Sequence, residues 1–127
     1  METALKIGSI AIGGALGAVA RYLMNFIPVV PGFGKFPLPT FLVNIIGSAL
    51  AGFFVIVFAD KVGVSENLRM AVIVGFLGAF TTFSTFEVET YGLVREKQFA
   101  VAGLYVALSV LCGFIGVAAG AAFGRRL

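Results

Sequence analysis

Four apolar runs, each about as long as a bilayer is thick, take up almost the whole chain. Bounded by charges and turn residues, they cover roughly residues 3–27, 38–59, 68–94 and 99–123. A helix rising about 1.5 Å per residue needs ~20 apolar residues to cross a membrane, and every run meets that length. Of the 127 residues, 60% are apolar before glycine is counted, above the ~45–50% of a soluble domain with glycine included. The expected fold is an all-α membrane protein, one domain of four transmembrane helices over residues 1–127 with no extramembrane domain. There is no His, and Cys112 stands alone among the residues. That excludes an intrachain disulfide, a His-based metal site and a Cys/His or Ser/His catalytic set, so no enzyme is expected. The net charge of +3 is scattered among helix ends rather than clustered, which fits insertion into a lipid bilayer and not nucleic-acid binding.

The connections are short. Residues 28–37 carry three of the four prolines and two glycines, so no helix continues through them. The second connection holds Asp60, Lys61, Gly63, Glu66 and Arg69, with Ser65 as N-cap of the third helix. The third is only Arg95-Glu96-Lys97-Gln98, which predicts that helices three and four are antiparallel neighbours. Pro39 stands within the start of the second helix and leaves its first residue open. The N-terminal run with Lys6 and Ala18-Val19-Ala20 has some features of a signal peptide, but its glycines suit helix packing better.

Small residues recur at helical spacing: Gly13 and Gly17, Gly47 and Ala51, Ser48 and Gly52, then Gly116, Gly120 and Gly124. Such stripes let backbones approach in lipid, either inside one bundle or across a dimer interface. Orientation is undecided by charge. Lys6, Lys61, Arg69, Arg125 and Arg126 lie on one side, and Arg21, Lys35, Arg95 and Lys97 on the other. A five-to-four division gives almost no positive-inside bias and points to dual topology.

The middle of the third span reads Gly75-Phe-Leu-Gly78-Ala-Phe-Thr81-Thr82-Phe83-Ser84-Thr85-Phe86. A single hydroxyl in such a helix usually bonds back to a carbonyl one turn earlier. Four within five positions after two glycines predict a break in the third helix at the midplane, and the carbonyls a break releases suit a hard cation. With no carboxylate in the break, a monovalent ion is favoured over a divalent one. Asn44, an amide deep in the second span, serves either as an interhelical hydrogen-bonder or as a pore lining. Tyr105 and Ser109 share a face of the fourth span. Phe83 and Phe86 share a face of the third, as packing rings or as positive ring edges along an anion path. Glu87 and Glu89 are intramembrane carboxylates, functional candidates by default. Arg21 either anchors its helix at the interface or draws anions inward.

The string from Gly75 to Phe86, with Thr40-x-x-Val43-Asn44-x-x-Gly47 and Gly14-x-x-Gly17-Ala18-x-x-Arg21-Tyr22 before it, resembles the small bacterial fluoride channels, the Fluc family of fluoride exporters. The resemblance covers all four spans in order. It implies an antiparallel, dual-topology homodimer in the bacterial inner membrane, with two fluoride pores and a structural sodium ion (Na⁺) on the dimer axis. By motif position, the Na⁺ carbonyls would be those of Gly78 and Thr81. Fluoride would pass Phe83 and Phe86 with Asn44, Ser84, Thr85, Tyr105 and Ser109 as polar lining, Arg21 near the entrance and Glu89 as a further polar element. Export would be passive: hydrogen fluoride enters as a neutral acid, dissociates, and the anion leaves down the membrane potential. The rival class is a short dual-topology, proton-coupled small-molecule exporter, which needs a carboxylate at the midplane.

Overall fold

The computed structural model describes residues 1–28, 32, 34–60 and 63–127. Lys61, one of the basic residues in the orientation count, lies outside them, as do Val29, Val30, Pro31 and Phe33 of the first connection. Among the described residues all regular structure is helical. Four helical stretches are long and apolar enough to cross a membrane, and the chain is a multi-pass membrane protein. The first, α1, covers Glu2–Met24 and stops short of the expected residue 27, because residues 25–27 turn back on the carbonyls of Tyr22, Leu23 and Met24. The second, α2, covers Leu38–Asp60. Its start is settled at Leu38, with Pro39 in the first turn, where a missing N–H leaves no bond unmade.

The third span is not one helix. Residues 66–80 form α3, which begins on a Ser65 cap that accepts from the Leu68 N–H at 3.1 Å, as expected. Over Met70–Leu77 the helix widens to π-type hydrogen bonding before Gly78–Phe80 returns to α geometry. Nothing in the sequence signalled that widening. Thr81 and Thr82 are extended, with φ −80°, ψ 154° and φ −149°, ψ 119°. Phe83–Arg95 then forms α4, and Phe99–Arg125 forms α5, the fourth span.

The tight pairings are α1 with α3 and α2 with α5. Each pair runs parallel, and glycine decides both. A Cβ added at Gly17 would lie 3.0 Å from the Phe76 Cα and closer still to its carbonyl, and one at Gly120 would lie 2.8 Å from the Ala49 carbonyl carbon. Backbone therefore touches backbone, the contact that drives association in lipid. The small-residue stripes are used within the chain. The expected neighbourhood of helices three and four is correct only in part. They meet through a cluster of Phe86, Leu93, Ala102 and Tyr105, with Phe36, Phe41 and Val101 against it, while α5 follows α2. The short connection joins the two ends but supplies no small-residue seam between them.

That connection is a Schellman turn: the Gln98 N–H reaches the Leu93 carbonyl at 2.8 Å and the Lys97 N–H the Val94 carbonyl at 3.0 Å. Its left-handed position is held by Lys97, φ 61°, where glycine is the usual occupant.

Candidate functional site

Interrupting a helix at membrane depth frees backbone groups that lipid cannot satisfy, at several kcal/mol each if left alone. The break at Thr81 and Thr82 is closed by side chains from two other helices. Asn44 on α2 donates through Nδ2 to the Thr82 carbonyl at 3.0 Å, and its Oδ1 accepts from the Thr82 N–H at 2.8 Å. The amide thus pairs with Thr82 as a neighbouring strand would. Arg21 on α1 donates through Nε to the Ala79 carbonyl at 2.9 Å. Thr81 supplies the expected back-bond, its hydroxyl donating to the Leu77 carbonyl at 2.8 Å. The Thr82 hydroxyl caps α4 by accepting from the Thr85 N–H at 3.2 Å.

These contacts share one face of α2. Thr40, Asn44 and Gly47 fall at successive helical turns. Thr40 donates its hydroxyl proton to Glu89 at 2.5 Å, Asn44 holds Thr82, and a Cβ on Gly47 would collide with the Thr81 methyl. From sequence alone Thr40 and Gly47 are motif members with no assigned role. Their spacing from Asn44 was the signal that all three face one partner.

Beside the break lies a cavity of about 380 Å³, open to the outside of the protomer and lined by Asn44, Ser48, Thr81, Thr82, Phe83, Phe86 and Ser109 among others. Four of the expected pore residues, Asn44, Phe83, Phe86 and Ser109, meet here. Phe83 and Phe86 have ring centroids 6.0 Å apart, yet Phe86 is 7% exposed and Phe83 75%. Phe86 meets the Tyr105 ring edge-on at 4.9 Å. Tyr105 is fully buried, its hydroxyl beside that of Thr40, whose proton is committed to Glu89, and neither it nor the Ser109 hydroxyl completes a well-formed hydrogen bond among the described residues. An unpaired buried hydroxyl costs about 1–3 kcal/mol, and here there are two, one turn apart. The N-terminal end of α4 sits at the same break, placing the positive end of a 13-residue helix beside the cavity.

Other expected residues lie apart from it. Ser84 and Glu87 are exposed, and Thr85 is half-buried without lining the cavity. Glu89 lines a second cavity, of about 400 Å³, with Lys35, Pro37, Gly92, Leu93 and Glu96. Arg21 is bound to the break rather than reaching for the interface. No group of three or more His, Cys, Asp or Glu side chains suited to a metal exists among the described residues.

Residues 9–121 match the family described as CrcB-like protein, Camphor Resistance. A fluoride-specific ion channel FluC from Ignicoccus hospitalis is 43% identical over 118 residues, 93% of this chain and 94% of that one. Proteins of the same name from Roseiflexus and Hahella chejuensis are 38% and 42% identical, covering 97% and 93% of this chain and 99% and 93% of their own.

Proposed function

The chain belongs to the CrcB-like family, and from that membership we propose that it is a fluoride-specific channel which lets cytoplasmic fluoride leave passively across the bacterial inner membrane. The family is one of ion channels, not enzymes. The observation that carries the reading for this chain is the pair of buried, unpartnered hydroxyls of Tyr105 and Ser109 beside the Phe86 ring. A fold selected for stability alone discards such groups. A small, strongly hydrated anion needs them, because donors along the path must replace the water it gives up. The remaining amide proton of Asn44, the positive N-terminal end of α4 and the positive edges of Phe83 and Phe86 add to the same field. Ser84 and Thr85 follow on the first turn of α4, and Arg21 adds a positive charge at the break. Glu89 stands at the far end of the line of polar groups.

The working unit we infer is an antiparallel homodimer with two pores. Phe83 is mostly exposed on the single protomer and Gly78 lies on its surface, so both are free to meet a second copy. A near-even charge division supports insertion in both orientations. A Na⁺ ion on the dimer axis fits the donor set. The Thr82 N–H that a continuous helix would aim at the Gly78 carbonyl is bonded to Asn44 instead. The Thr81 carbonyl leaves the helical ladder with its extended residue. Gly78 and Thr81 would hold the ion by carbonyl oxygens, and it would neutralise the negative ends crowded there. The proton-coupled alternative lacks its central carboxylate, since Glu87 and Glu89 both lie more than a turn beyond the break and Glu87 is exposed.

The test is fluoride efflux from proteoliposomes carrying Tyr105→Phe, Ser109→Ala, Phe83→Ile or Phe86→Ile. The hydroxyl variants should leave the fold as stable or more so and slow efflux about tenfold, the equivalent of roughly 1.4 kcal/mol on the barrier. The ring variants should slow or stop it. Undiminished efflux from all four well-folded proteins would rule the path out.

A further inference from the structure

The cavity around Glu89 has a charge arrangement that a fluoride path does not explain by itself. Two carboxylates, Glu89 and Glu96, line it, and both repel an anion. Lys35 is its one cationic lining residue among the described residues, and its Nζ is paired with Glu96 at 2.5 Å. The neighbouring cavity that shares Gly92 and Glu96 is also lined by Arg95, but Arg95 does not line the Glu89 cavity. With two carboxylates against one ammonium group, the position of that group decides which carboxylate faces an entering anion unneutralised.

Lys35 is held at the rim by its neighbour. Phe36 packs edge-on against Phe41 and against Tyr105, each with ring centroids 5.3 Å apart. This places the Lys35 backbone beside the aromatic that carries one of the unpaired hydroxyls. Both partners of the ion pair are more than half exposed, and a pair so exposed is weak and readily exchanged. Resting on the channel reading above, we propose that Lys35 is the anion-collecting residue of this mouth, and that Glu96 restrains it by holding its charge away from Glu89. While Lys35 is bound to Glu96 the unneutralised carboxylate is the half-buried Glu89, deeper in the mouth than the exposed Glu96. Released toward Glu89, it neutralises that carboxylate and raises the local fluoride concentration. Focusing of this kind changes entry rates by tenfold or more and fades as salt screens it.

The experiment measures fluoride efflux from liposomes containing the full chain as wild type, Lys35→Gln, Lys35→Arg and Glu96→Gln. Each is assayed at about 0.01 M and about 1 M of an impermeant salt, which shortens the Debye length from about 30 to about 3 Å. At low salt, Lys35→Gln should slow efflux about three- to tenfold and Lys35→Arg should restore what Gln removes. Glu96→Gln should speed it about twofold. At high salt these differences should shrink to nothing. Effects of Lys35→Gln and Glu96→Gln in the same direction, effects that persist at high salt, or no effect at all would each overturn the assignment. Wild-type protein passing no fluoride at either salt would instead refute the channel reading on which it rests.

Discussion

Removing the Asn44 amide should weaken the fold as well as the flux, and the size of the effect can be worked from two hydrogen bonds. Asn44→Leu preserves bulk and deletes both bonds to Thr82, at 2.8 and 3.0 Å. Thr82 is left with an N–H and a carbonyl that have lost their protein partner at membrane depth. At about 1–3 kcal/mol for each group, the loss is about 2–6 kcal/mol. Side-chain hydrogen bonds inside membrane proteins average nearer 0.6 kcal/mol apiece, which sets a floor of about 1 kcal/mol. We expect about 2–4 kcal/mol for Leu. Because the chain has no Trp, unfolding in a denaturing detergent is best followed by far-ultraviolet circular dichroism, with efflux measured on the same preparations. An unfolding midpoint for Asn44→Leu equal to that of wild type would refute the clamp. If flux were lost at the same time, the amide would serve the ion and not the backbone.

Gly120→Val should prevent α2 and α5 from closing, since its Cβ would lie within the Ala49 backbone; size-exclusion chromatography should show lost monodisperse protein. Arg21→Met should destabilise the fold by about 1–3 kcal/mol in the same unfolding assay, because it strips the Ala79 carbonyl of its donor. Lys97→Gly should stabilise it by about 0.5–1 kcal/mol by removing a Cβ from a left-handed turn, and a lower unfolding midpoint would count against the turn assignment.

The spans and the break could be read from the sequence because lipid leaves few alternatives. A hydrophobic run of such length has one plausible conformation, and four hydroxyls after two glycines conflict with it at one place. Helix pairing was less legible. The stripes announced close packing but not its partner, and Gly17 against Phe76 or Gly120 against Ala49 is decided by three-dimensional complementarity. Asn44 shows the limit at the site. Its sequence context allowed an interhelical bond or a pore lining. The structure gives it the bond and leaves it one further proton facing the cavity. The i, i+4, i+7 relation of Thr40, Asn44 and Gly47 was present in the sequence, yet its meaning depended on knowing that the break lay opposite. The paired cavities at Phe86 and Glu89 had no sequence signature at all, because they arise where segments distant in sequence converge.

The parallel pairing of α1 with α3 and of α2 with α5 also orders events during synthesis. Neither tight seam joins consecutive helices, so α1 emerges and waits for residues 66–80, and α2 waits for residues 116–124. At about 5–20 residues per second, the 60 residues between the end of α2 at Asp60 and Gly120 take about 3–12 s to synthesise. Until then the early helices rest in the membrane without a glycine-matched partner. Chain orientation is therefore chosen before intramolecular packing can fix it. Any factor that slows elongation between residues 60 and 100 lengthens that interval, and with it the exposure of the unpaired segments to quality-control proteases.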